Sequence, residues 1–147
     1  MPETRYQIGD LLGRGGMAYV YSGVDTRLGR PVAIKRLREE LAANTAVRTR
    51  FRREASAAAR LNHPSIVAVF DSVEIDSPTG ATTPTPIIVM ELVDGSTLRE
   101  ALRKGPRLSP DRALEITSAI LRALAASHSA GIIHRDIKAS NVLLTST

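Results

Sequence analysis

Hydrophobic and polar residues alternate with a period of two in several short stretches of the chain, and this alternation predicts β-strands. The predicted strands cover residues 6–12, 17–24, 30–37 and 66–73, and a fifth, over 86–93, is predicted from an apolar run rather than from alternation. In the third strand, Val32 and Ile34 share one face, while Ala33 and Lys35 share the other. The first two strands are joined by the glycine-rich segment 13–16, so we predict a β-hairpin there.

A spacing of three to four residues between apolar positions predicts a helix over 45–61, with Asn44 as its N-cap. Its apolar stripe comprises Phe51, Ala55, Ala58 and Leu61. Glu54 follows Phe51 by three residues, so we place its carboxylate on this stripe. An unpaired buried charge is costly, and Lys35 is the natural partner. The alternative is that Glu54 lies at the margin of the stripe and points to solvent.

Two further helices are predicted in the second half of the chain. A short one covers 97–103 with Ser96 as its cap, and a long one begins at Ser109 and stops near Gly131. Pro110 suits the first turn of the long helix. The predicted buried face of the long helix comprises Ala113, Ile116, Ile120, Leu121 and Leu124.

The composition is that of one globular domain of 147 residues without cysteine. A disulfide framework and a thiolate metal site are therefore excluded. No apolar run approaches the roughly 20 residues of a membrane span, so we predict no membrane segment in this chain. The net charge of +5 includes an arginine-rich stretch over 36–60. We interpret it as a solvated helix face, because the chain has no Trp and two Phe for base stacking, and we predict no nucleic-acid partner.

A polar loop lies between the short apolar runs 132–133 and 142–144 near the end of the sequence. It holds a carboxylate, an ammonium group and an amide, on Asp136, Lys138 and Asn141. This set suits phosphoryl transfer, because the carboxylate can accept a hydroxyl proton and the ammonium group can neutralise phosphate oxygens. The amide oxygen can bind Mg²⁺.

Glycines in the predicted hairpin turn let backbone amides approach phosphates closely, because no Cβ is in the way. This signal is weak alone, since a plain tight hairpin has the same composition. In the third strand, the small side chain of Ala33 leaves room for a flat ring. Lys35 on the same face offers a cation for the phosphate groups attached to such a ring.

Together these segments resemble the serine/threonine protein kinases of the bacterial, eukaryotic-like type. The final loop is similar to H-R-D-x-K-x-x-N, the hairpin to G-x-G-x-x-G-x-V, and Val32–Lys35 to the family's strand-lysine motif. The resemblance implies an α+β fold with a five-stranded antiparallel amino-terminal lobe, one helix and the first part of a mainly helical lobe. It places the lobes at 1–93 and 94–147, with the hinge near 91–95.

The resemblance also implies the site. Asp136 is the catalytic base, Lys138 stabilises the γ-phosphate, Asn141 is a metal ligand, and Lys35, held by Glu54, binds the α- and β-phosphates. Met90 is the gatekeeper beside the adenine. The implied ATP-binding residues are Leu12, Gly13, Gly15, Gly16, Ala18, Val20, Ala33, Lys35, Glu54, Met90, Glu91, Val93 and Leu143. The implied cofactors are ATP and Mg²⁺, and the implied partners are proteins with Ser or Thr hydroxyls.

The chain departs from the family pattern in two ways. Ala139 stands where a proline is usual, and the sequence ends before the D-F-G aspartate that binds metal. We therefore expect the isolated chain to be inactive. The alternative is a non-catalytic nucleotide-binding or interaction module, and an arginine-rich nucleic-acid binder is a third hypothesis. We expect a cytoplasmic location, or the cytoplasmic face of a membrane, and a homodimer through the amino-terminal lobe is compatible with the resemblance.

Overall fold

A computed structural model describes residues 5–77 and 79–145 of the chain. The described residues form two compact units. The first unit comprises the residues up to Arg60 together with Ala68–Leu92, and the second comprises Leu61–Val67 and the residues from Val93 onward. The division of the chain at residue 93 into two lobes stays a prediction.

The first unit is built on one antiparallel sheet of five strands in the order β1-β2-β3-β5-β4. The strands are β1 (Tyr6–Arg14), β2 (Ala18–Asp25), β3 (Arg30–Leu37), β4 (Val69–Ile75) and β5 (Thr85–Met90). This confirms the predicted five-stranded antiparallel sheet, and β3 has the predicted bounds. The predicted strand 66–73 begins three residues too early, because the chain enters the sheet only at Val69.

Each face of this sheet carries its own apolar cluster. One consists of Tyr6, Val32, Ile34, Ile87 and Val89. The other consists of Ala18, Leu37, Phe51, Ala55 and Ile88. The alternation along β3 is therefore as predicted, since Val32 and Ile34 pack on the first face, while Ala33 and Lys35 belong to the second.

Two helices follow β3 in the first unit, α1 (Glu39–Ala42) and α2 (Thr45–Ala59). Asn44 caps α2 as predicted, because its side chain accepts a hydrogen bond from the backbone N–H of Val47 at 3.2 Å. The buried residues of α2 are Phe51 and Ala55, which cover the second face of the sheet. The single turn α1 was not predicted, since four residues are too few to show a helical period.

A buried carboxylate fastens the start of the chain to the turn between β2 and β3. Asp25 is 1% exposed and accepts hydrogen bonds from the Arg5 guanidinium at 2.9 and 3.0 Å. It also accepts from the backbone N–H groups of Arg27 and Leu28. The hydrogen bonds from Arg5 lower the pKa of Asp25 to about 2, although burial opposes the shift. This cluster therefore stabilises the folded state only while the carboxylate is ionised.

The second unit contains two helices and a short sheet. Its elements are β6 (Gly95–Thr97), α3 (Leu98–Lys104), α4 (Pro110–Ser129), the 3₁₀ turn Ala139–Asn141 and β7 (Leu143–Thr145). Strands β6 and β7 pair antiparallel. The predicted cap Ser96 is wrong, because Ser96 pairs with Leu144 in this sheet. Thr97 caps α3 instead and accepts from the N–H of Glu100 at 3.1 Å.

Helix α4 begins and ends as predicted. Ser109 caps it by accepting from the N–H of Arg112. At the other end, Gly131 has a φ of 78°, its N–H bonds the carbonyl of His128, and the N–H of Ile132 bonds the carbonyl of Ser127. This pair of bonds is a Schellman motif, which needs a residue in the left-handed region.

The predicted buried face of α4 is only partly correct. Ile116 is buried, but Leu121 is 60% exposed. The two residues are about 140° apart around the helix axis, so they cannot share one narrow face.

We predict that the Asp25 cluster makes stability fall in acid. The folded pKa of Asp25 is below the unfolded value of about 3.9, so its contribution is complete above that pH and is lost as the pH falls toward 2. Urea unfolding at a series of pH values should show this loss in the parent chain. Asp25→Asn should unfold more easily at neutral pH and lose less between pH ~4 and ~2.

Asp76→Asn is the matched control for this experiment, because it removes an exposed carboxylate outside the cluster. An acid dependence that is identical in the parent and in Asp25→Asn would contradict the assignment.

We also predict that Gly95→Ala destabilises the second unit. A Cβ at Gly95 would lie 1.8 Å from the Leu144 carbonyl oxygen, so β6 and β7 would have to separate. We expect a cost of roughly 1–3 kcal/mol in chemical denaturation, as for other overpacked sites. The control is Gly16→Ala, where an added Cβ meets nothing within 4 Å. Equal midpoints for the two variants would show that the strand pairing tolerates the methyl group.

Candidate functional site

The glycine-rich turn between β1 and β2 is closed by its own backbone. The N–H of Gly15 bonds the carbonyl of Ala18 at 2.9 Å, and a Cβ at Gly15 would lie 3.0 Å from that oxygen. At Gly13 and Gly16, by contrast, an added Cβ would meet nothing within 4 Å. The turn therefore uses Gly15 for its own closure and leaves its other glycines open to an approaching group.

The strand register brings several predicted nucleotide-binding residues onto one row of the sheet. Gly13 lies opposite Val20, and Val20 lies opposite Lys35. On the next row of the same face, Ala33 lies opposite Met90. Leu12 is exposed at the end of β1. Apart from Leu12, these positions lie on two adjacent rows of one face of the sheet, and the nucleotide-binding role given to all of them stays a prediction.

The predicted ion pair between Lys35 and Glu54 is wrong for this structure. The Glu54 side chain is half-exposed, and its carboxylate lies 3.5 Å from Nε of Arg50, one helical turn away. Within the described residues, Lys35 has no ion-pair partner. Viewed down the axis of α2, Glu54 is about 80° from the direction midway between Phe51 and Ala55. It therefore lies at the side of the buried face and not at its centre.

In the segment that follows β5, the backbone N–H of Glu91 is already hydrogen-bonded within the first unit. The N–H of Glu91 donates to the carbonyl of Ala68 at 2.9 Å, and the Glu91 carboxylate accepts from the N–H of Ala68 at 3.3 Å. The backbone carbonyl of Glu91 takes part in neither of these two bonds. In the second unit, Val93 is half-buried, and Leu143 lies in β7 opposite Thr97.

The loop before the 3₁₀ turn is organised around Asp136. The N–H of Asp136 donates to Nδ1 of His134 at 3.1 Å, and the Lys138 ammonium group lies 3.4 Å from its carboxylate. Nδ2 of Asn141 donates to the Asp136 carbonyl at 2.9 Å and lies 3.4 Å from its carboxylate. Arg135 has a φ of 69°, which an L-residue rarely adopts. The second unit thus brings together three of the four predicted catalytic side chains, and the fourth, Lys35, belongs to the first unit.

This arrangement leaves reactive groups accessible. The side chains of Asp136 and Lys138 are 65% and 56% exposed, so the carboxylate can accept a proton and the ammonium group can meet an anion. Asn141 uses its amide N–H toward Asp136, which leaves its carbonyl oxygen for a hard cation. The residues present therefore fit one ligand of a magnesium ion, namely Asn141.

Both ends of the loop are anchored by residues that the sequence analysis did not single out. Ser127 is buried in the last turn of α4, and its hydroxyl donates to the Ile132 carbonyl at 2.7 Å. The N–H of Leu98 donates to the Val142 carbonyl at 2.8 Å. A serine one turn before the Gly131 stop was the available signal for the first anchor, whereas the second pairs residues far apart in sequence.

Most arginines of the basic stretch have intrachain partners. Arg36 stacks on the Tyr21 ring and bonds its hydroxyl, Arg38 pairs with Glu40, and Arg50 pairs with Glu54. Arg48 and Arg52 both pair with Glu74. Arg48 and Arg52 thus link α2 to β4, whereas Arg38 and Arg50 pair with glutamates no more than four residues away.

Comparisons with known proteins identify the family of this chain. Residues 6–147 match the protein kinase domain family. The chain is 59% identical over 143 residues to the protein named probable serine/threonine-protein kinase SCO3848 from Streptomyces coelicolor, covering 96% of this chain and 20% of that protein. It is 48% identical over 145 residues to the serine/threonine-protein kinase PknB of Mycobacterium tuberculosis, covering 99% of this chain and 23% of PknB.

The structure is also similar to a solved kinase domain. The crystal structure of the PknI kinase domain from Mycobacterium tuberculosis superposes with a TM-score of 0.76 and 35% sequence identity, over 97% of this chain and 56% of that one. The chain belongs to the protein kinase domain family. It spans about a fifth of the length of the curated relatives that it matches.

None of the helices within residues 5–77 and 79–145 is both long enough and apolar enough to cross a membrane.

Proposed function

We propose that the protein is a serine/threonine protein kinase that transfers the γ-phosphate of ATP to hydroxyl groups of other proteins. The observation that carries this proposal is the cluster of Asp136, Lys138 and Asn141, in which an exposed carboxylate lies beside a cation and an amide. The relatives named as serine/threonine-protein kinases support it. Asp136 followed by Lys138 two residues later is also the serine/threonine form of the kinase loop.

In this proposal the first unit supplies the nucleotide-binding residues. The open glycines of the β1–β2 turn admit the phosphates to backbone N–H groups, and Lys35 neutralises the α- and β-phosphates. Val20 and, on the next row of the same face, Ala33 and Met90 offer an apolar surface to the adenine ring. The Glu91 carbonyl accepts from the adenine amine, because the Glu91 N–H already bonds Ala68.

The second unit supplies the residues for phosphate transfer. Asp136 accepts the proton of the substrate hydroxyl as that oxygen bonds to the γ-phosphorus and the bond to the bridging oxygen of ADP breaks. Lys138 stabilises the charge on the γ-phosphate oxygens. A magnesium ion held by Asn141 supplies charge neutralisation of the phosphates when bound. The remaining metal ligand of the family is outside this sequence.

A second candidate function has one observation in its favour. Protein kinases need the ion pair between the strand lysine and the helix glutamate, and here Glu54 pairs with Arg50 instead. The chain by itself then acts as a non-catalytic nucleotide-binding or interaction module. Magnesium-independent ATP binding without phosphate transfer by the isolated chain is the result that favours this alternative.

The remaining proposals concern partners and location. The substrates are proteins with accessible Ser or Thr, and the need for ATP places the kinase domain in the cytoplasm or at the cytoplasmic face of a membrane. A homodimer through the first unit stays a prediction.

We predict that Asp136→Asn and Lys35→Met, made separately in the full-length protein, each reduce phosphate transfer from labelled ATP to a general protein substrate. The expected loss is on the order of a hundredfold or more, because Asn cannot accept the proton and Met cannot neutralise phosphate oxygens. Incorporation of label is measured by autoradiography.

Matched controls make this result specific. Asp76→Asn and Lys104→Met remove the same charges at exposed positions outside the candidate site, and they should retain full activity. Full activity in Asp136→Asn would exclude Asp136 as the catalytic base.

A further inference from the structure

Arginine and tyrosine side chains form a row on one face of the five-stranded sheet, close to the β1–β2 turn. Arg14 on β1 lies opposite Tyr19 on β2, and Tyr19 lies opposite Arg36 on β3. The three residues share a face, because directly opposite residues of antiparallel strands point to the same side. It is the face of Val32 and Ile34, so it is not the face that α2 covers and that carries the predicted nucleotide-binding residues.

The tyrosine rings support three guanidinium groups. Those of Arg14 and Arg38 lie over the Tyr19 ring, with their carbons 5.8 and 5.4 Å from its centroid. That of Arg36 lies over the Tyr21 ring, 4.5 Å from its centroid, and donates to the Tyr21 hydroxyl at 2.8 Å. We call these five residues the arginine–tyrosine face. A guanidinium group that packs against a ring keeps N–H groups at its edge, where they can bind an anion.

Two of these arginines have no carboxylate partner. Within residues 5–77 and 79–145, the exposed side chain of Arg14 contacts the Tyr19 ring but forms no ion pair. Arg36 likewise forms no ion pair in this part of the chain and bonds only the Tyr21 hydroxyl. Guanidinium groups gathered around two neighbouring rings repel one another. A bound anion would replace this repulsion by attraction.

The two glutamates that follow β3 neutralise only part of this charge. Glu40 pairs with Arg38 at 2.5 Å. Glu39 is engaged by the connection between β4 and β5, since hydrogen bonds from the hydroxyls of Ser77 and Thr79 lower its pKa. The arginine–tyrosine face therefore keeps an excess of positive charge.

The spacing of the arginines indicates an extended ligand with several charges. Arg14 and Arg36 are two strands apart, which corresponds to about 10 Å. Their guanidinium groups lie over different rings, so they are held apart and do not converge on one point. An extended peptide advances ~3.3 Å per residue, so acidic side chains a few positions apart can reach both arginines.

Single-stranded nucleic acid is the other ligand that tyrosine and arginine side chains on a sheet can bind, by stacking bases on the rings. Here, however, guanidinium groups already lie over the Tyr19 and Tyr21 rings. A base would have to compete with these arginines for the rings, whereas a carboxylate or a phosphate group binds the guanidinium edges and leaves the stacking in place. The arrangement therefore favours an acidic peptide.

We propose that the arginine–tyrosine face binds an extended acidic segment of a partner protein, whose carboxylate or phosphate groups contact Arg14, Arg36 and Arg38. Clusters of arginines are a recurrent means of binding acidic and phosphorylated segments. The rings of Tyr19 and Tyr21 orient the guanidinium groups before the ligand arrives, which lowers the entropy cost of binding. The site does not depend on the proposed kinase function, because it lies on the other face of the sheet.

The first experiment measures binding to the full-length protein by fluorescence anisotropy. The labelled probes are peptides of about ten residues, which are long enough to span the face. In one probe Glu alternates with Gly, in a second phosphothreonine replaces each Glu, and in a third Gln replaces each Glu. We expect the two acidic peptides to bind at least tenfold more tightly than the Gln peptide, and their binding to weaken as the salt concentration rises.

The second experiment repeats these titrations with variants. Arg14→Gln should weaken binding of the acidic peptides by roughly three- to tenfold, because one charged contact is lost. Arg14→Lys should recover only part of the affinity, since Lys keeps the charge without the planar guanidinium group. Tyr19→Leu should also weaken binding several-fold, although it removes no charge, whereas Tyr19→Phe should bind as the parent does.

The matched control removes positive charge elsewhere in the first unit. Arg53→Gln combined with Arg60→Gln takes away two exposed arginines outside the arginine–tyrosine face and should leave the affinity unchanged. Circular dichroism verifies that every variant is folded. Arg14→Gln keeps the test decisive if a tyrosine variant unfolds, because the Arg14 side chain is exposed.

The outcomes decide whether the site exists and what it binds. Unchanged affinity in folded Arg14→Gln and Tyr19→Leu overturns the proposal, and so does an equal loss in the Arg53→Gln, Arg60→Gln control, which would show a response to net charge alone. Tighter binding of a single-stranded oligonucleotide than of both acidic peptides also overturns it. If the proposal holds, the tighter of the two acidic peptides shows whether phosphates or carboxylates are preferred.

Discussion

The pairing of β3 with β2 on one side and with β5 on the other determines which residues lie on each face of the sheet in the first unit. It divides the strand into Val32 and Ile34, which enter one apolar cluster, and Ala33 and Lys35, which face the side of α2. A register shift of one residue would exchange these faces and bury the lysine among the aliphatic side chains. The candidate phosphate-binding cation is accessible because the flanking apolar residues cannot be moved without a large loss of burial.

The sequence could predict features that depend on short-range patterns. Short apolar and alternating runs located the five strands. The caps of α2 and α4 followed from Asn44 and Ser109, because capping is a bond to a residue three positions away. Glu54 and Leu121 were misplaced for the same reason as each other. The spacing of apolar residues does not decide whether a residue at the margin of a helical stripe is buried. Only the packing of the helix shows which marginal residue turns inward.

Long-range pairing was beyond the sequence analysis. Strand β6 joins β7 across most of the second unit, and this pairing displaced the predicted cap of α3 by one residue. The same pairing holds the carboxyl-terminal side of the loop that carries Asp136, while Ser127 holds the other side. The motif identified the reactive residues of this loop, but the hydrogen bonds that shape it come from residues with no motif of their own.

Arg5 ties the beginning of the first unit to the turn between β2 and β3. Its guanidinium is the counter-ion of a carboxylate that is almost completely shielded from water, and its carbonyl accepts from Thr26 in the same turn. Loss of Arg5 would leave this interior carboxylate without its counter-ion. Recombinant versions of the chain should therefore begin no later than Arg5, even though the first strand starts only at the next residue.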